Sequence, residues 1–278
     1  MKEKKIKILV ACHKKDPAIR RDSMFLPIQV GKALHPDVDL GFTTDNEGDN
    51  ISFKNPSYCE LTAMYWAWKN LEDTSIIGLA HYRRYLNINE EGILRFLKSP
   101  GIILPKRCHC RFDNYTNLAL LITQEDFVIA IDTLLRMYPD CRDAVQKYFF
   151  QSNKYTLFNM FIMDWETFNG YSSFLFPYLE EVERRLMPHP YSRLQRKIGY
   201  IAEAMIGLWV EYTKPRVKYV SYTDYNTSNY KSGIRTSLRN FQRDIGFNLL
   251  YLPHNQKIYY YSAVENALNN QGISIQKL

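Results

Sequence analysis

Nowhere does the sequence hold an uninterrupted apolar run long enough to span a bilayer, which takes about 20 residues. The start, MKEKKIKILVA, is basic, but its apolar run stops at Cys12-His13-Lys14, so it does not read as a secretory signal. Cysteine is scarce. Five residues (12, 59, 108, 110 and 141), odd in number and irregular in spacing, fit a reducing cytoplasm better than a disulfide framework. Cys108-His109-Cys110 gathers metal-ligand types, but a zinc site needs a second pair that the sequence does not supply. Internal repeats and low-complexity segments are also missing.

What is present belongs to an ordinary folded chain. The 278 residues (32.9 kDa) suffice for one large domain, or one domain with an extension. The apolar share is 46% and the charged share 23%, so nothing marks the chain as disordered or fibrous. Aromatics are plentiful, with 21 Tyr, 15 Phe and 4 Trp. Flat rings suit sugar or base stacking, although most aromatic side chains in any protein are core. The net charge of +7 gathers near the C-terminus. There Lys214, Arg216, Lys218, Lys231, Arg235, Arg239, Arg243 and Lys257 stand against only Asp224 and Asp244. Such a surface suits nucleic acid, anionic lipid or phosphorylated substrates.

Lys5 to Ala11 reads as a buried first strand that releases a loop at Cys12-His13, and ligands bind at that end of open α/β sheets. Residues 41–56, rich in Gly, Asp and Asn, mark a loop. Ser57 and Glu60 have capping-box spacing, and Leu61, Met64, Tyr65 and Trp68 follow at helical period. A short apolar strand, Ile76 to Ala80, delivers His81-Tyr82-Arg83-Arg84-Tyr85. Thr123 caps a predicted helix, Thr156 to Met163 (TLFNMFIM) reads as a second core strand, and a Ser192/Gln195 capping box opens another helix. The alternation predicts an α/β fold. After Lys214-Pro215 the pattern weakens, so a boundary is placed at 213/214, with a basic amphipathic helix over 236–252.

Five groups of residues have the makings of a site. Arg83 and Arg84 follow a buried strand, where guanidinium forks suit a diphosphate. Neighbours on a strand point opposite ways, so the two are expected to differ in role; the alternative is a pair bridged to local acids. Asp45, Asn46, Asp49 and Asn50, with Lys54 beyond, suit ribose, sugar hydroxyls and a phosphate, or else form a solvated turn. The helix of residues 58–70 presents an anion-attracting N-terminus, with Glu60 read as its capping glutamate. Glu203, the sole charge between Ile198 and Val210, reads as a desolvated general base or as the partner of Arg193 or Arg196. Asn159, inside an apolar strand, needs partners that a sugar would supply, and Asp164 beyond it is a catalytic candidate or a helix cap.

These blocks carry a resemblance. ILVACHK (8–14), DNEGDNISFKNPSYCELTAMYWAWKN (45–70), IGLAHYRRYL (77–86), FNMFIMDWETF (158–168) with FLFPYLEEVERRL (174–186), and RKIGYIAEAMIGLWV (196–210) resemble one bacterial family. That family belongs to capsule, O-antigen and exopolysaccharide gene clusters, is long described as of unknown function, and is associated with galactosyl or galactofuranosyl transfer. The resemblance implies a GT-A-like, Rossmann-type nucleotide-sugar-binding domain over residues 1–213, a UDP-sugar donor and a glycan acceptor on a lipid carrier. By order along the chain it sets His81 to Tyr85 where such folds carry a metal motif, and Glu203 near their acidic base. Residues 215–278 match no family pattern. The only Asp-x-Asp, Asp37-Val38-Asp39, precedes the Ile76 strand. Cationic side chains can stabilise a departing diphosphate instead, which favours chemistry without a metal, with Mn²⁺ or Mg²⁺ as the alternative.

The expectation is therefore an inverting galactofuranosyl- or galactosyltransferase working by single displacement. Glu203 is its base, with Asp164 and His81 as further catalytic candidates. His13, Lys54, Tyr82, Arg83 and Arg84 meet the UDP; Asp45, Asn46, Asp49, Asn50 and Asn159 hold uridine or sugar hydroxyls. The protein is expected in the cytoplasm, its basic extension docked on the inner face of the membrane, where anionic lipid is worth about 1 kcal/mol per basic residue. The rival readings are a nucleotide-sugar- or glycan-binding module without turnover, and a nucleic-acid binder. The second has Tyr259-Tyr260-Tyr261 beside basic residues in its favour but no RNA-binding signature.

Overall fold

The computed structural model describes residues 5–225, 234–254 and 257–278, with backbone alone at 234–235, 254 and 257–260. Lys231 and the side chains of Arg235, Lys257, Tyr259 and Tyr260 therefore lie outside the described residues. The strands are β1 (Ile6–Cys12), β2 (Phe25–Gln29), β3 (Thr43–Thr44), β4 (Ile76–His81), β5 (Arg84–Leu86), β6 (Ile102–Pro105), β7 (Cys108–His109), β8 (Lys154–Tyr155), β9 (Phe161–Asp164), β10 (Val217–Val220) and β11 (Tyr222–Asp224). The helices are α1 (Asn55–Tyr58), α2 (Leu61–Asn70), α3 (Glu90–Phe96), α4 (Asn114–Ala119), α5 (Gln124–Met137), α6 (Arg142–Val145), α7 (Trp165–Arg185), α8 (Ser192–Gln195), α9 (Lys197–Thr213), α10 (Ile234–Ile245) and α11 (Lys257–Asn270). They fall into two compact units. One comprises Met1–Lys106, Leu157–Phe174 and Pro215–Lys231; the other comprises Arg107–Thr156, Leu175–Lys214 and Ser232–Leu278.

The first unit is built on a mixed sheet in the order β10-β6-β9-β4-β1-β2-β3, with β5 pairing both β4 and β11. β1 lies parallel to β2 on one side and to β4 on the other. Both β1 and β4 are almost wholly buried, as their unbroken apolar runs require. The chain leaves β1 towards β2 and β3, then returns to β4 across β1. Strand order thus reverses between β1 and β4, and in open α/β sheets ligands bind in the crevice outside the C-terminal ends of the strands at such a switch point. β9 is inserted antiparallel between β4 and β6, so its first residue, Phe161, pairs with Leu79 near that same end.

Three local expectations change. TLFNMFIM is a strand only from Phe161, because Phe158 adopts a positive φ of 61° and turns the chain. Asn159 therefore sits in the turn before β9, not within it. The Ser57/Glu60 box does not form: Pro56 starts a helical turn at Asn55, and Cys59 breaks it with a φ of 53°. α2 begins only at Leu61, and Glu60 makes no capping bond. Ser192 lies inside α8, where no side chain caps the helix, so that box is also absent.

The loop over 41–56 is latched to the segments beside it. Asp45 is fully buried and accepts from the Gly31 amide (2.9 Å), the Lys32 amide (3.2 Å) and the Ser52 hydroxyl (2.5 Å). Gly48 has a φ of 62°, and a Cβ there would fall 2.0 Å from Asn70 Oδ1. That oxygen accepts from the Asp49 amide, while Asn70 Nδ2 donates to the Asp49 carbonyl. A side chain at 48 would displace the latch.

The second unit packs α5 against α4 and α11, and α9 against α4 and α6, with Phe127, Phe149, Tyr178 and Tyr261 buried in its aromatic core. Thr123 caps α5 as expected, accepting from the Asp126 amide. The amphipathic helix expected over 236–252 is α10, continued as a wider π turn over Gly246–Tyr251. Among the described residues no helix is long and apolar enough to cross a membrane.

Asp45 is thus a structural carboxylate. Asp45→Ala strands the buried Gly31 amide and Ser52 hydroxyl and is expected to lower the unfolding free energy by about 1–3 kcal/mol, read from the denaturant midpoint.

Candidate active site

The crevice outside β1 and β4 collects residues from four separate stretches of the first unit. β1 delivers His13 and β4 delivers His81, after which the tight Tyr82-Arg83 turn leads into β5. The exposed His13 ring meets Tyr82 edge-on at 5.1 Å, bridging the two strand ends. Behind them, Asn159 Nδ2 donates to Glu60 Oε1 at 2.7 Å, and the same oxygen lies 3.7 Å from His81 Nε2. Asn159 is buried and so is His81 Nε2, while the side chains of Glu60 and His81 as wholes remain 12% and 21% exposed.

Glu60 and Asn159 share a backbone feature. Each directly follows a non-glycine residue of positive φ, Cys59 and Phe158. Such conformations cost about 1–3 kcal/mol each, persist where surrounding structure enforces them, and cluster at functional sites. Here the two strained turns converge on one hydrogen bond. The Phe158 ring packs edge-on against His81 (6.1 Å) and Tyr222 (5.4 Å), which holds its turn in place.

The two arginines have separate partners. Arg83 pairs with Asp16 at 2.8 Å through both Nε and Nη2, and its guanidinium lies 4.8 Å from the Tyr82 ring centroid. Arg84 Nε pairs with Asp224 at 2.7 Å and the group covers the Phe158 ring at 4.2 Å. Both are bridged to acids, the alternative the sequence left open. Asp16 is held below the usual carboxylate range by the Ala18 amide and by Arg83. Tyr85 completes the support: its hydroxyl donates to the Ala18 carbonyl and accepts from the Arg20 amide. Burial pushes that phenol up to about 12, so it stays protonated. The loop after β1 is thereby pinned to the β4–β5 turn.

Other predicted residues stand apart from this cluster. Asp164 pairs across the sheet with Ile76, at the opposite end of β4 from His81. It caps α7, accepting from the Thr167 amide (3.0 Å), the Thr167 hydroxyl (2.7 Å) and the Gly101 amide (2.8 Å). Burial raises its pKa, but these bonds outweigh it and hold the carboxyl low, as suits a cap and not an acid catalyst. Asp45 is consumed in its latch. Asp49 accepts from the Tyr65 hydroxyl, Asn50 turns back on the Asn46 and Gly48 carbonyls, and Lys54 lies over the Tyr58 ring at 5.3 Å. Asn46 is exposed. Glu203 sits in α9 of the second unit and is half-buried, less enclosed than its apolar surroundings in sequence imply.

Sequence reasoning missed Glu60 as a site residue and Asp16 and Asp224 as partners. The signal for Glu60 was Asn55-Pro56, which starts a helix too early for a cap at Ser57. Among the described residues no group of three or more His, Cys, Asp or Glu is arranged to hold a metal ion. At the end of β4 the donor set is Glu60 and His81, with the nearby acids bridged to arginines, which does not fit an Asp-x-Asp-type metal centre. His109, in the Cys-His-Cys segment, is likewise tied to Asp244 at 2.8 Å.

Comparison with known proteins shows the family and the fold. The chain is similar to the apo structure of the bifunctional glycosyltransferase WbbM, with a TM-score of 0.72 and 30% identity. The match covers 81% of this chain and 45% of that one, so the chain spans less than half the length of its structural relative. No curated protein matches the sequence. The mixed α/β architecture with its parallel-rich sheet is accordingly a GT-A-like fold. A family model described as a domain of unknown function, DUF4422, matches residues 7–214, about three quarters of the sequence, and the chain belongs to that family.

Proposed function

We propose that the chain transfers a sugar from a UDP-sugar to a glycan acceptor, using the crevice at the C-terminal ends of β1 and β4. What supports this is the Glu60–His81–Asn159 cluster, set at the switch point of a fold shared with a bifunctional glycosyltransferase. The finer parts of the proposal are galactofuranose or galactose as the sugar, inversion, a lipid-linked acceptor and independence from metal. They draw on the sequence blocks, as does the division into a transferase domain (1–213) and a basic extension (214–278).

In an inverting displacement the acceptor oxygen attacks the anomeric carbon. The bond from that carbon to the diphosphate oxygen breaks, and its electron pair leaves with UDP. The acceptor proton must pass to a base. We assign Glu60, because Asn159 fixes its carboxylate and His81 stands beside it. Glu203, the base expected from chain order, is the competing assignment. Charge developing on the leaving diphosphate calls for preorganised cations and donors. His13, His81 and Arg83 surround the crevice, and the Asp16 bridge fixes the plane of the Arg83 fork. A guanidinium carries five N–H donors in a rigid fork, so an acid that orients it still leaves it suited to a phosphate. Lys54, Asn46, Asp49 and Asn50 remain the candidates for uridine.

A panel of UDP-sugars, assayed for UDP release with an acceptor present, tests the reading. Turnover with a galactose or galactofuranose donor is expected, undiminished by EDTA. UDP binding without turnover on any donor favours the non-catalytic module, and a strict Mn²⁺ requirement overturns the cation-only account. Glu60→Gln is expected to cut kcat roughly a hundredfold to ten-thousandfold while sparing UDP affinity, with Glu203→Gln close to wild type. The opposite pattern moves the base to Glu203. Arg83→Ala is expected to weaken UDP binding roughly tenfold or more in calorimetry, the loss of charge-assisted bonds.

A further inference from the structure

α10 is amphipathic in the reverse sense of a helix that packs on a core. Its polar side faces the second unit. Asp244 Oδ1 lies 2.8 Å from His109 Nδ1 and accepts from Asn153 Nδ2 at 3.2 Å, while Arg243 Nη1 donates to the His109 carbonyl at 2.7 Å. In the π turn that follows, Phe247 is buried and stacks on Tyr251 with centroids 5.5 Å apart. The apolar residues point the other way. Leu238, Phe241, Ile245 and Leu249 are 56%, 62%, 42% and 66% exposed. Their spacing of three, four and four places them along a single stripe. Arg239 is exposed beside it.

Scattered surface leucines need no explanation, but a contiguous apolar stripe held outward by polar anchors marks a contact surface. We propose that α10 and the π turn after it lie in the plane of an anionic membrane, with Leu238, Phe241, Ile245 and Leu249 among the acyl boundary and Arg239 against lipid phosphates. A helix of 12 residues is too short to span a bilayer and suits the interface. Charge selects lipid over a second copy of the chain. The sole acid of α10, Asp244, is engaged inward, so two such helices meeting face to face would set Arg239 against Arg239 with no acid of the helix to offset it. Anionic headgroups attract that arginine instead. This locates the membrane contact of the proposed reaction on a lipid-linked acceptor. Binding is read without donor or acceptor, so its failure and the failure of the transfer reading are distinguishable.

The test is co-sedimentation of the full chain with vesicles of phosphatidylcholine, alone or mixed with phosphatidylglycerol. The wild type is expected to pellet with the mixed vesicles and largely not with the neutral ones. Leu238→Ser/Phe241→Ser/Leu249→Ser, shown folded by circular dichroism, is expected to bind roughly tenfold or more weakly. Phe241→Trp, a milder change, is expected to show a blue-shifted emission only with the anionic vesicles. Wild type left in the supernatant, serine-variant binding equal to wild type, or an unshifted emission from the vesicle-bound Phe241→Trp variant would each overturn the proposal. So would a dimer in size exclusion that the serine variant dissolves while vesicles go unbound, which assigns the stripe to a second copy.

Discussion

The 2.7 Å hydrogen bond from Asn159 to Glu60 joins two strained turns that are far apart in sequence and sets both side chains beside His81, at the C-terminal end of β4. It exists because β9 enters the sheet antiparallel to β4. A parallel strand there would begin at the opposite edge and carry Asn159 away. Antiparallel insertion instead brings the turn before β9 to the C-terminal end of β4, against His81. The positive φ values at Cys59 and Phe158 then aim Glu60 and Asn159 at each other. Neither conformation is favourable in isolation, so packing elsewhere in the unit must sustain both. The Phe158 ring, fixed by His81, Tyr222 and Arg84, is where that support is visible.

The electrostatics of the crevice are balanced, not simply basic. Arg83 and Arg84 each lie against a carboxylate, and His81 stands near a third. A bare cluster of guanidiniums would bind any polyanion and repel its own members. Bridging each arginine to an acid fixes its geometry and lowers the net field, which favours an anion of defined shape such as a diphosphate. The account of leaving-group stabilisation therefore rests on orientation more than on summed charge.

Much of this was legible in the sequence. The apolar runs at Ile8 and Ile76 announced central strands, and chain order placed His81 at the mouth of the sheet. Thr123 declared its helix. What could not be read was pairing across long separations. Asp16 reaches Arg83 over 67 residues and Asp224 reaches Arg84 over 140, and no local periodicity encodes either contact. Glu60 was hidden for a different reason. Its spacing from Ser57 imitates a capping box, and only the backbone break at Cys59 releases its side chain for the crevice. Asp164 and Asp45 show the converse: acids in suggestive positions, one capping α7 and the other latching a loop. Short polar side chains bond to nearby backbone readily, so local sequence overstates them as site residues.

The central claim is that a nucleotide diphosphate lies where β1 and β4 end, and a crystal of the protein soaked with UDP tests it most directly. The account predicts diphosphate density within hydrogen-bonding reach of the His81–Arg83 segment, with Glu60 left open to the acceptor side. Density for UDP elsewhere, with that segment unoccupied, would contradict it.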